Sequence, residues 1–118
     1  MNEHDVDLLL NIKDEAEILL EMVNGCELQD FLINEEKKRA VSMTLINIGE
    51  SVKTLSDDLK QAHPAVRWGS ITSLRNIAAH NYGGLRMEWI WKNVTRDVPE
   101  LLEQVKGILG AEKVERRV

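Results

Sequence analysis

Cysteine is nearly absent from this 118-residue chain. Cys26 stands alone, so no internal disulfide can form, and a reducing, cytoplasmic setting is expected. Proline occurs only at Pro64 and Pro99, and aromatic side chains make up just 4% of the residues. With Leu, Ile, Glu, Lys and Ala in excess, this scarcity points to an all-α domain. No apolar run approaches the ~20 residues that a membrane-spanning helix needs. The acidic start, Met1-Asn2-Glu3-His4-Asp5, lacks the basic region of a secretory signal. There is no Gly-x-Gly-x-x-Gly loop to cradle phosphates. His4, His63 and His80 lack metal-ligand spacing, so no metal is expected. The length suits one domain with a real core, placed at residues 1–110, with 111–118 a polar, frayed tail.

What charge there is lies unevenly. The net charge is −5, which at first argues against a nucleic-acid partner. Residues 1–59 carry 5 Lys/Arg against 14 Asp/Glu. Residues 60–96 reverse this, with Lys60, Arg67, Arg75, Arg86, Lys92 and Arg96 against Glu88 alone. Positive charge therefore gathers in one region, as a phosphate-binding site requires. The acidic remainder offers a surface to a basic partner.

Apolar spacing sets out the elements. Leu9, Ile12, Ala16, Leu19 and Val23 alternate three and four, one seam of an amphipathic helix over about 4–23. Asn24-Gly25 ends it. Residues 26–33 read as a short helical turn, and Asn34 as an N-cap followed by Glu35 and Glu36. Val41, Leu45, Ile48, Val52, Leu55 and Leu59 form a heptad-like seam, which predicts the longest helix, running to about Ala62. Gly49 lies inside it at a cost of about 1 kcal/mol relative to alanine. Close approach by another backbone, the next helix or a second subunit, would account for it. His63-Pro64 breaks the chain, and a new helix starts near Arg67 or Trp68. A last helical stretch puts Met87, Ile90, Val94, Val98, Leu101, Val105 and Ile108 inward. Pro99 predicts a kink there or two abutting helices, with Asp97 capping the second. The expected fold is an up-and-down bundle of four main helices plus a short one. Trp68, Trp89 and Trp91 are expected in the core or an interface rather than as base-stacking platforms.

The chemistry gathers at Arg75-Asn76-Ile77-Ala78-Ala79-His80-Asn81-Tyr82, followed by Gly83-Gly84. Glycine readily ends a helix, so the cluster falls in the last two helical turns. At about 100° per residue, Arg75 and Tyr82 lie about 20° apart, Asn76 and His80 about 40°, and Arg75 and His80 about 140°. One rigid helix does not aim Arg75 and His80 at one small target. Arginine can sweep round and the backbone can distort near the glycines. Alternatively, two copies of the helix can face each other across a two-fold axis and line a shared cleft, the arrangement favoured here. Imidazole moves protons near neutral pH; guanidinium forks onto phosphate oxygens. Together they suit metal-free cleavage of an RNA phosphodiester. The same residues also suit a helix end whose histidine complements the macrodipole and whose arginine sits in a surface ion pair.

Arg75-Asn76-x-x-x-His80-x-Tyr82 resembles the signature of HEPN domains, in particular the HepT-like toxin branch. Asn47-Ile48-Gly49-Glu50 is similar to that family's Ile-Gly-Glu element. Pro64-x-x-x-Trp68-x-x-Ile71 resembles its lead-in to the motif, and Trp91 with Asp97-Val98-Pro99-Glu100-Leu101 resembles its closing segment. The resemblance spans nearly the whole chain and keeps the order of the elements. It implies a HEPN-like homodimer with the motif helices at a shared cleft. It implies an RNA-cleaving toxin with Arg75 and His80 catalytic and Asn76 orienting groups or contacting phosphate. It implies a nucleotidyltransferase antitoxin that uses ATP and Mg²⁺ and attaches AMP to Tyr82. Some HEPN domains cleave nothing, and the alternative is a non-catalytic dimeric subunit that presents substrate or nucleotide to such a partner.

Overall fold

The structure, a computed structural model, describes residues 1–80 and 87–111, with residues 77–80 described by their backbone alone. Helix α1 spans Glu3–Val23. Asn2 caps it by accepting a 2.7 Å hydrogen bond from the Asp5 amide, and Leu9, Ile12, Ala16, Leu19 and Val23 are buried, as their spacing predicts. Gly25 follows with φ +73°, a left-handed geometry that glycine adopts without a Cβ penalty. Helix α2, Leu28–Ile33, is short. Its buried Phe31 meets the Trp91 ring at 5.1 Å between centroids.

Helix α3 covers Glu35–Thr54, and α4 covers Asp57–Ala62. Asn34 caps α3 through the Lys37 amide at 2.9 Å. The helix expected to run to Ala62 is therefore divided, and the bundle has two short helices rather than one. The cause is a capping site at Ser56. Its Oγ accepts from the Leu59 amide at 3.2 Å and donates to Asp5 Oδ2 at 2.6 Å, while its own amide donates to Asp5 Oδ1 at 3.0 Å. Asp5 is buried there, 51 residues away in sequence, with its carboxylate satisfied by these bonds. The apolar seam carries through the break: Val41, Leu45, Ile48, Val52, Leu55 and Leu59 are all in the core.

Helix α5 covers Trp68–His80 and α6 covers Met87–Ala111. Trp68 is buried and donates Nε1–H to the His63 carbonyl at 3.1 Å, which fixes the turn into α5. Helix α6 is the longest element, and it is one helix rather than two abutting ones, with Pro99 inside it. Proline has no amide hydrogen for the carbonyl four residues earlier, at a cost of roughly 3 kcal/mol. Burial of Ile90, Val94 and Val98 before it and Leu101, Val105 and Ile108 after it anchors both halves in the core. Asp97 does not cap a fresh helix; its carboxylate accepts from Arg67 and Arg96 instead.

In this arrangement α1 packs between α3 and α6, α5 packs on α3, and α2 bridges α3 and α6. Among the described residues α5 and α6 pack only sparsely on each other, and an open groove lies between them. No helix of the described residues is long and apolar enough to cross a membrane.

Candidate active site

The crossing of α3 and α5 builds the first part of the site. Ile71 and Leu74 are buried and seat α5 on the bundle. Arg75, on the same side, meets α3 at Gly49. A Cβ placed on Gly49 would overlap Arg75 Cβ and lie 2.6 Å from Arg75 Cγ, 3.4 Å from its Cα. Of the two causes considered for this glycine, the motif helix is the one observed. The arginine stem occupies the space that a side chain at position 49 would take, so the seam around Gly49 is spent inside the bundle.

Beyond that crossing, the Arg75 guanidinium is held from two sides. One terminal nitrogen, Nη2, donates to Glu50 Oε1, and Nη1 donates to Asn76 Oδ1 at 2.8 Å. The side chain is 20% exposed, against 47% for Glu50. Among the described residues Arg75 Nε is buried with no hydrogen-bond partner. An arginine held in this way presents a charged fork with little rotamer freedom left to lose.

Asn76 itself is exposed. His80 is the last residue of α5, and its side chain lies outside the described residues, as does that of Ala78. Tyr82 and the Gly83-Gly84 cap also lie outside them, as do residues 112–118 of the expected tail. Within the described residues the long arginine side chain reaches from Glu50 on α3 to Asn76 on its own helix.

A family model described as Ribonuclease HepT-like matches residues 12–108, a span that contains the whole of this crossing. The chain belongs to the HepT-like ribonuclease family. It is 37% identical over 105 residues to a candidate RNase of Caldanaerobacter subterraneus subsp. tengcongensis, covering 89% of this chain and 94% of that protein. It is 32% identical over 103 residues to a candidate RNase of Methanocaldococcus jannaschii, covering 87% and 82%. It is 31% identical over 101 residues to the "Probable ribonuclease HepT" of Thermococcus cleftensis, covering 86% and 92%. No solved structure matches.

Two features of this HepT-like chain escaped the sequence reading. The first is Glu50 as the partner of Arg75. Its neighbour Gly49 signalled a close approach, but which side chain filled the gap depends on the helix crossing. The second is the α5–α6 groove, about 590 Å³, with Ser70 and Ser73 on one wall and Trp89, Asn93 and Arg96 on the other. Asp97 lines it and is buried; its Oδ1 accepts from Arg96 Nε at 3.0 Å and from Arg67 Nη2 at 3.2 Å. Arg67 also donates to Glu100 at 3.1 Å. The Arg96 pKa is raised above the ordinary arginine value, chiefly by its hydrogen bond to Asp97 and then by that carboxylate's charge. Trp68 and Trp91 lie in or against the core as expected, whereas Trp89 is 38% exposed.

Proposed function

We propose that this HepT-like chain is a metal-independent endoribonuclease, the toxin of a pair whose antitoxin is a nucleotidyltransferase. The observation that carries the reading is the held guanidinium of Arg75, fastened by Glu50 and Asn76 on the helix that ends at His80. In the proposed reaction the RNA 2′-oxygen attacks the adjacent phosphorus and the 5′-oxygen of the next nucleotide leaves. His80 moves the proton, and Arg75 stabilises charge on the non-bridging oxygens. The products are a 2′,3′-cyclic phosphate and a 5′-hydroxyl. Asn76 orients Arg75 or contacts phosphate. Two copies of the chain supply the cleft, a reading supported by the exposure of Asn76 and by the angular separation of Arg75 and His80 along one helix.

Control follows from the same site. The antitoxin, using ATP and Mg²⁺, transfers AMP to the Tyr82 oxygen as the α–β phosphoanhydride bond of ATP breaks and pyrophosphate leaves. This introduces a phosphodiester charge of about −1 and a bulky base near the RNA path. At a few ångströms and an effective dielectric near 20, a guanidinium–phosphate pair is worth up to about 4 kcal/mol before solvent screening. That is enough to compete with RNA for Arg75.

The deciding experiment is RNA cleavage by the purified chain with and without EDTA, with analysis of the product ends. Activity should survive EDTA and be lost in His80→Ala, Arg75→Ala and Arg75→Lys, since lysine cannot reproduce the fork. Undiminished cleavage by these variants would move the site elsewhere. An inactive wild-type chain would favour the non-catalytic subunit instead.

A further inference from the structure

The groove between α5 and α6 lies outside the Arg75 arrangement and has a composition of its own. Trp89, Lys92, Asn93 and Arg96 are spaced three, one and three along α6, which places them on one face of that helix. The stripe thus joins an aromatic ring, two cations and an amide. Ser70 and Ser73 face it from α5. The groups are tied together. The Asn93 amide donates to the Trp89 carbonyl at 2.8 Å, and Arg96 Nη2 approaches Asn93 Oδ1 at 3.5 Å. Buried Asp97 holds Arg96 by Nε, yet the Arg96 side chain remains 57% exposed.

A cation held by a buried carboxylate loses little further freedom when it meets an anion. An exposed indole beside it offers a π-face that any nucleobase can cover. Hydroxyl-bearing and charged walls fit poorly with the apolar centre of a subunit interface. Arg67 and Arg96 line the groove and Lys92 lies on the same face of α6, three cations against the carboxylates of Asp97 and Glu100, which leaves a positive balance toward a polyanion.

We propose that this groove is a substrate-positioning subsite for single-stranded RNA, in which Trp89 stacks on a base and Arg96, with Lys92 beside it, engages the backbone phosphate. The proposal rests on the ribonuclease reading and deepens it. The strand crosses α6 on its way to the end of α5, so the groove sets which nucleotides flank the scissile bond. Trp89 and Arg96 act on binding and register, and the proton transfer belongs to His80.

The test is equilibrium binding of a short labelled single-stranded RNA to His80→Ala protein across a salt series, with cleavage kinetics in the background that retains His80. Trp89→Ala should weaken binding by about 5- to 150-fold, and Trp89→Phe should retain most of it, because the stacking face survives. Arg96→Gln should weaken binding to all sequences and lower the salt slope by about one. In cleavage both losses should appear in KM, with kcat retained. Unchanged affinity in Trp89→Ala and Arg96→Gln would overturn the proposal. So would an affinity loss that merely tracks dissociation of dimers in sedimentation, which would make the groove a contact between copies. If wild-type protein neither binds nor cleaves RNA, the ribonuclease reading falls and this proposal with it. If wild type cleaves and both variants bind as tightly, only the subsite falls.

Discussion

Arg75 has to satisfy two demands at once, because its guanidinium must be held firmly and must still reach a phosphate. Glu50 meets the first demand at a cost to the second, since a carboxylate competes with the substrate for the same fork. Glu50 is half-exposed, and with solvent reaching that side of the pair its contribution to stability is about 1 kcal/mol, so the role of Glu50 belongs to the site rather than to the fold. Glu50→Ala should therefore melt within a few degrees of wild type but lower kcat by about 10- to 100-fold, because a loosened arginine misplaces its charge. Single-turnover cleavage beside a thermal melt measures both; full activity in the variant would show that Glu50 is dispensable. Tyr82→Phe separates control from catalysis. It keeps the ring and removes the acceptor oxygen. RNA cleavage should persist, while incubation with the antitoxin, ATP and Mg²⁺ should add no mass. A Tyr82→Phe variant that gained AMP as fully as wild type would place the modification at another residue.

Helices meet according to what their surfaces allow, and α3 and α5 meet at a glycine. Gly49→Ala puts a methyl group into the Arg75 stem, and overpacking of this kind costs about 1–3 kcal/mol. The gain in helix propensity, about 1 kcal/mol, does not offset the upper part of that range. The variant should lose stability in chemical denaturation and lose RNase activity more steeply, as the crossing opens and Arg75 shifts. Gly107, within α6, is the contrasting case. Nothing lies within 4 Å of a Cβ built there. Gly107→Ala should stabilise the protein by about 0.5–1 kcal/mol through propensity alone. Stabilisation by both substitutions would mean that the α3–α5 crossing tolerates a side chain.

At the scale of the whole molecule, the apolar seam of α3 is consumed by the bundle core and Gly49 by Arg75, so neither remains to form a two-fold interface. What remains toward a dimer is the exposure of Asn76 on α5 and the poor alignment of Arg75 with His80 on one ideal helix. The protein should sediment as a dimer at micromolar concentration; a clean monomer that cleaves RNA would remove the shared cleft. Mixing Arg75→Ala and His80→Ala proteins after partial unfolding should restore part of the activity if each cleft draws on both copies. No recovery in verified mixed dimers would confine each site to one copy.

Spacing along the chain was enough to determine much of this protein. The three-four seams of α1, α3 and α6 identified the core residues, because helical periodicity is a local property and burial follows it. Asn34 as a cap, Gly49 as a point of close approach and a helix carrying Arg75 to His80 were legible for the same reason, as each depends on residue type within a turn or two. Tertiary structure decided the rest. The break at Ser56 depends on a carboxylate 51 residues away. The continuity of α6 through Pro99 depends on burial along both of its halves, which outweighs a lost hydrogen bond. The pairing of Arg75 with Glu50, and the groove where Trp89 stays exposed, depend on how helices cross. Crossing geometry is set by side chains from distant segments meeting in space, and no window of sequence contains both partners.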